Sequence, residues 1–106
     1  DEAIENINSI IDLLQNANPN ITIIIELMAP GHSNMMTPEL TTYFQQLHQG
    51  VVTICEEQSA TNSLVVEVDM STGFSDAYLA DDVHYNVAGA DFIAQRYYTL
   101  LATLLE

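Results

Sequence analysis

Positive charge is nearly absent from this chain. One side chain, Arg96, stands against fifteen Asp and Glu in 106 residues, a formal net charge of −14. Such a surface repels phosphate backbones and anionic lipid, which excludes nucleic-acid and membrane partners. One cation cannot organise a fold through ion pairs, so most of the carboxylates must be solvated. The single cysteine, Cys55, excludes an intrachain disulfide. No apolar run approaches the roughly 18 residues of a membrane span. Tryptophan is missing, yet five Tyr, three Phe and a hydrophobic content of 48% leave ample material for a core. The chain opens Asp1-Glu2-Ala3, with neither a methionine nor a leader pattern, and reads as a processed or partial chain.

What is present alternates between two periods. Ile4, Ile7, Ile11 and Leu14 recur at helical spacing until "NANPN" breaks the pattern. "ITIIIELM", Ile21 to Met28, is a β-branched run apolar on both faces, the mark of a buried parallel strand. After the loop "APGHSNM", Thr37-Pro38 supplies an N-cap and a first-turn proline. The helix that follows has an apolar face of Leu40, Tyr43, Phe44, Leu47, Val51, Ile54 and Cys55, with Gly50 as a point of division. "LVVEV", Leu64 to Val68, is a second buried strand, and a last helix is expected after Asn86. Its inward residues are Val87, Ile93, Ala94, Tyr97, Leu100, Leu101 and Leu104.

The order α-β-α-β-α gives an α/β class, part of a doubly wound three-layer sandwich, with parallel strands joined by a right-handed crossover. Two strands that read as buried on every side cannot cover their own edges. The expectation is therefore that residues 1–106 are the C-terminal half of a domain whose N-terminal strands lie upstream. Pairing between copies of the chain is the other way to cover those edges.

In such sheets chemistry gathers at the C-terminal ends of the strands, which places "APGHSNM" and the loop from Asp69 to His84 at one end. Asp81 and His84 are three residues apart. A carboxylate there reaches one imidazole nitrogen, fixes the tautomer and leaves the other nitrogen as a base. The competing reading is a solvated acidic loop whose His84 only packs against a helix. Asp76, Asp81, Asp82 and His84 fit no EF-hand or zinc spacing, so no metal and no cofactor are assigned. Gly31-His32-Ser33 is similar to the start of the nucleophile elbow of α/β-hydrolases, but Met35 stands where that turn needs a second glycine. His32, Ser33, Asn34 and Phe74 are the candidates for a substrate cleft.

The stretch "VEVDMSTGFSDAYLADDVHYNVAGADFIAQRYYTLL" resembles the closing block of the SGNH (GDSL-type) hydrolases. The match is carried by Asp81, His84, Asn86, Gly89 and Ile93-Ala94, and "VDMSTGF" is similar to the acetylxylan-esterase-like branch. The resemblance runs from about Asn18 to Leu105. It implies a serine esterase in which His84 is the general base and Asp81 its orienting acid, acting on acetyl esters of small molecules or carbohydrate. It also implies an extracellular or periplasmic setting. The family's Gly-Asp-Ser nucleophile block and its oxyanion Gly and Asn have no counterpart here. The resemblance thus implies that the serine comes from an N-terminal segment or companion chain, and that this chain alone is inactive. A rival from another class is a non-catalytic α/β interaction module or self-associating homo-oligomer.

Overall fold

The structure, a computed structural model, describes residues 1–105. Its helices and strands follow the expected order: α1 Glu2–Ala17, β1 Ile23–Leu27, α2 Pro38–Gln58, β2 Val65–Asp69 and α3 Val87–Leu104. Short 3₁₀ turns at Ser33–Met35 and Asp76–Tyr78 interrupt the two long loops. Among the described residues the sheet has two strands. Ile23 N donates to Leu64 O at 2.8 Å and Met70 N to Leu27 O at 2.9 Å. The partners advance together along both strands, so the pairing is parallel.

The chain divides into two compact units. One comprises Asp1–Ile25 with Gln45–Glu67, the other Glu26–Phe44 with Val68–Glu106. In the first unit Asp1 caps α1 through the amide of Ala3 at 2.7 Å, and Glu2 and Glu5 place negative charge at the positive end of the helix. Its core is Ile11, Val51, Ile54, Cys55 and Val65, all below 5% exposed. Burial, and then the neighbouring Glu67, push the Cys55 thiol up to about 12. Polar ties close the same unit. Gln15 donates to Gln58 O and to Ser63 Oγ, and the buried Ser63 hydroxyl donates to Ile21 O at 2.6 Å.

Gly50 does not divide α2, which runs unbroken through it. A methyl group there would collide with Cδ1 of Ile4 and stand 2.9 Å from its Cγ1. The glycine therefore serves the close approach of α1, and the tertiary contact outweighs its low helix propensity.

The expectation of two fully buried strands holds in part. β2 buries Val65 and Val68, whereas every residue of β1 keeps some exposure. In a two-stranded sheet each strand has one neighbour, so cover is incomplete. α3 departs further. Val87 is 89% exposed, and Ala94 and Leu101 are also exposed. These three are seven residues apart and form one stripe, extended by Tyr98 and Leu105. The inward face of α3 is instead marked by buried Gly89 with half-buried Ile93, Tyr97, Leu100 and Leu104. Among the described residues no helix is long and apolar enough to cross a membrane.

Candidate active site

The candidate residues named from sequence all fall in the second unit, where short polar bonds and one aromatic cluster shape the loops. At the end of β2 the Asp69 carboxylate accepts from the amides of Ser71 and Thr72, and from the Thr72 hydroxyl at 2.5 Å. Desolvation works to raise its pKa, but those donors and Arg96 prevail and lower it. Arg96 lies 4.5 Å over the Phe92 ring and donates to Asp69 O and Thr72 O, both at 2.7 Å. Gly73 then turns with φ of +81°, a region that favours glycine. Phe74 meets the rings of Tyr78, Tyr85 and Phe92 at centroid distances of 5.5, 5.9 and 5.6 Å. This cluster anchors the loop that follows.

From Leu79 to Tyr85 the loop closes on itself. Those two residues form an isolated antiparallel bridge, and Ala80 N donates to His84 O at 2.7 Å. Inside it Asp81 Oδ1 accepts from the amides of Val83 at 2.9 Å and His84 at 2.7 Å, while Oδ2 lies 2.8 Å from His84 Nδ1. A proton on Nδ1 satisfies that carboxylate and leaves the lone pair on Nε2. Among the described residues no hydrogen-bond partner engages Nε2, and the His84 side chain is 76% exposed. The amides of Val83 and His84, and then the His84 ring, bring the Asp81 carboxyl down to about 2. The acid is thus ionised throughout the range in which an imidazole works as a base.

Asn86 fixes the base of this loop. As N-cap of α3 its Oδ1 accepts from Gly89 N at 2.9 Å, and its Nδ2 donates to Ala77 O at 2.7 Å. Gly89 packs against the Tyr78 carbonyl, where any Cβ would clash. Asp82, the other acid beside His84, contributes its backbone: its carbonyl accepts from His32 N at 2.8 Å.

That bond brings in the loop after β1. Asp76 accepts from Ser33 N at 2.9 Å and from Ser33 Oγ at 2.5 Å, with His32 Nε2 at 3.4 Å. The Ser33 hydroxyl, then its amide, holds the Asp76 carboxyl below the usual range. The Ser33 proton is therefore directed at a poorly basic carboxylate and not at an imidazole. His32 Nδ1 in turn accepts from Asn34 N at 3.2 Å. A cavity of about 330 Å³ opens here, lined by the apolar Pro30, Met36 and Phe74, by Gly31, and by the polar Ser33, Ser75 and Asp76. Of the four cleft residues named from sequence, Ser33 and Phe74 line the cavity. His32, 3.4 Å from Asp76, and Asn34 are not among the lining residues.

Sequence reasoning paired Asp81 with His84, and the structure brings them together. It did not assign the acceptor role of Asp76 or the two-sided grip of Asn86. The Ser75-Asp76 dipeptide, a small capping residue before an acid, was the available sign of a turn, since Ser75 Oγ accepts from Ala77 N at 3.0 Å. Among the described residues no group of three or more His, Cys, Asp or Glu converges as a metal site.

No family model matches the sequence. Nor does any curated protein match it. The fold has solved counterparts. A carbohydrate esterase family 3 protein from Talaromyces cellulolyticus superposes with a TM-score of 0.81 at 24% identity, over 95% of this chain. A serine-to-alanine mutant of an acetyl esterase, solved with an acetate ion, gives a TM-score of 0.80, again at 24% identity. The chain spans about half the length of these proteins, 47% in each case. The chain thus has the α/β fold of part of these two structures.

Proposed function

We propose that this chain contributes His84 as general base and Asp81 as its orienting carboxylate to a serine ester hydrolase. The nucleophile and the oxyanion donors would lie on an N-terminal segment or companion chain. The observation that carries the reading is the 2.8 Å contact between Asp81 and His84 Nδ1, which leaves Nε2 open, on a fold shared with carbohydrate and acetyl esterases. His84 Nε2 takes the proton of the incoming serine as its oxygen attacks the ester carbonyl. The same nitrogen returns the proton to the departing alcohol, leaving an acyl-serine. Water then attacks that acyl group, passes a proton through Nε2 to the serine, and the free acid leaves. Asp81 stays ionised and stabilises the imidazolium formed in each half-reaction. An acetyl ester on carbohydrate is the proposed substrate, supported by the named activity of the solved counterparts, and the proposed setting is extracellular or periplasmic.

The test is hydrolysis of p-nitrophenyl acetate by the chain alone and by the chain joined to its upstream coding sequence. The chain alone should not exceed the buffer rate, and the completed enzyme should. If His84→Ala in the completed enzyme keeps near wild-type turnover, the assignment fails.

A second reading has its own observation. The exposed stripe of Val87, Ala94, Leu101, Tyr98 and Leu105 on α3 suits a self-associating module. Size-exclusion chromatography separates the readings. Reversible dimers with no activity after completion would favour the module.

A further inference from the structure

The chain's single Lys or Arg side chain is committed to two backbone carbonyls and a ring. Arg96 Nη1 donates to Asp69 O and Nη2 to Thr72 O, both at 2.7 Å, and the guanidinium lies over Phe92. The turn it grips closes without it, because the Asp69 carboxylate already accepts from Ser71 N, Thr72 N and the Thr72 hydroxyl. What Arg96 adds is the seat of that turn on α3. The fit is close at Gly73, where a Cβ would stand 3.4 Å from Arg96 Nη2.

The next residue, Phe74, is fixed from two sides. Its backbone follows the clamped turn, with Phe74 N donating to Ser71 O at 3.1 Å. Its ring meets edge-on the Phe92 ring that carries the guanidinium. Phe74 also touches Tyr78, just before the loop that holds Asp81 and His84, and Tyr85 at the far end of that loop. Tyr85 pairs with Leu79 across the base of the loop and directly follows His84. One ring thus holds both ends of the loop, and Arg96 sets the place of that ring. All of these residues lie in the second unit.

We propose that Arg96 is a positioning residue for His84, acting through Phe74 and the ends of the Leu79–Tyr85 loop. Arg96 bonds to the turn and the ring; its effect is on the angle at which the loop presents the imidazole to Asp81 and to an incoming hydroxyl. The inference rests on the esterase reading for its catalytic meaning, and on these contacts for the link itself. Lysine does not replace Arg96: an ammonium keeps the charge but lacks the planar fork that spans two carbonyls while lying on a ring.

The test reads the tautomer of His84 in the chain by long-range ¹H–¹⁵N correlation at about pH 8.5, where an ordinary imidazole is neutral. Wild type should carry the proton on Nδ1, where Asp81 Oδ2 lies at 2.8 Å. Arg96→Lys and Phe74→Leu should each lower the Nδ1–H fraction by about twofold or more. Val51→Ala, which loosens the core of the first unit away from the clamp, should leave it unchanged. In the completed enzyme Arg96→Lys should lower kcat roughly 10- to 100-fold with KM within about twofold, the mark of a misaimed base. The inference is overturned if wild type lacks the Nδ1–H preference, or if a folded Arg96→Lys or Phe74→Leu chain keeps it. It is overturned equally if Val51→Ala loses the preference, because lowered stability alone would then account for the effect. An Arg96→Lys chain that does not fold also overturns it, by making Arg96 a stability residue; where Phe74→Leu does not fold, Arg96→Lys decides alone. The tautomer is read without an ester. Its loss in Arg96→Lys beside a completed enzyme indifferent to His84→Ala would keep the link and remove the esterase reading. An unchanged tautomer beside hydrolysis that His84→Ala abolishes would do the reverse.

Discussion

Among the described residues two aspartate–histidine pairs are built from the same side chains in different arrangements. At His84 the carboxylate of Asp81 meets Nδ1 at 2.8 Å, its other contacts are to backbone amides, and the far nitrogen faces solvent. At His32 both nitrogens are engaged: Nδ1 accepts from Asn34 N, and Nε2 lies 3.4 Å from Asp76, which is already committed to Ser33. In the first pair the acid orients an imidazole that is free to act. In the second the acid is the centre, with the imidazole as one of its supports. A base is recognised by what its second nitrogen is free to do, more than by the company of an acid.

Substitution of the two histidines in the completed enzyme tests this most sharply. His84→Ala should lower kcat on an acetyl ester by about 10⁴-fold or more, and His32→Ala by less than about tenfold. Comparable losses would dissolve the distinction. Exchange of the acids comes next. Asp81→Asn should cost roughly 10²- to 10⁴-fold in kcat, because the amide no longer holds the working tautomer. Asp76→Asn should leave kcat within a few-fold.

Each pair also leans on a glycine, and their stabilities should differ in the same order. At Gly89, under the His84 loop, an added Cβ would meet the Tyr78 carbonyl carbon at 3.0 Å and collide with its oxygen. At Gly31, beside His32, the nearest atom would be Asp82 O at 3.2 Å, a contact that a small shift relieves. Gly89→Ala should cost about 1–3 kcal/mol in urea unfolding, and Gly31→Ala about 1 kcal/mol or less. The smallest effect is on titration. The Asp81 carboxyl is lowered to about 2, below its unfolded value near 3.9. Its contribution is therefore present in full above pH 4 and is lost as pH falls through the folded value. ¹³C NMR of the carboxyls should give a midpoint near 2 for Asp81, with the His84 ring resonances moving in step. A midpoint in the ordinary range would mean that the amide bonds of the turn do not persist in solution.

Much of this was legible in the residues. Thr37-Pro38 does start α2, with Leu40 N donating to Thr37 Oγ1 at 3.1 Å, and Asn86 does cap α3. Both are local rules, satisfied within three residues. The Asp81–His84 contact was legible for the same reason. What escaped were matters of distant partners. Gly50 read as a weak point because nothing in its neighbourhood announces Ile4, forty-six positions earlier. Asp76 was weighed only among possible metal ligands, because its partner Ser33 is forty-three residues away. Val87, Ala94 and Leu101 were placed inward because periodicity finds an apolar stripe without saying what covers it.

Arg96 gives a last consequence. A protease that cuts after Lys or Arg finds one eligible bond in the whole sequence, between Arg96 and Tyr97. That bond lies in the middle of α3, with the guanidinium held by Asp69 O and Thr72 O and stacked on Phe92. Trypsin can act only after those contacts and the surrounding helical turns have opened. Its cleavage is then a single-hit clock for α3, read as one intact chain becoming two pieces.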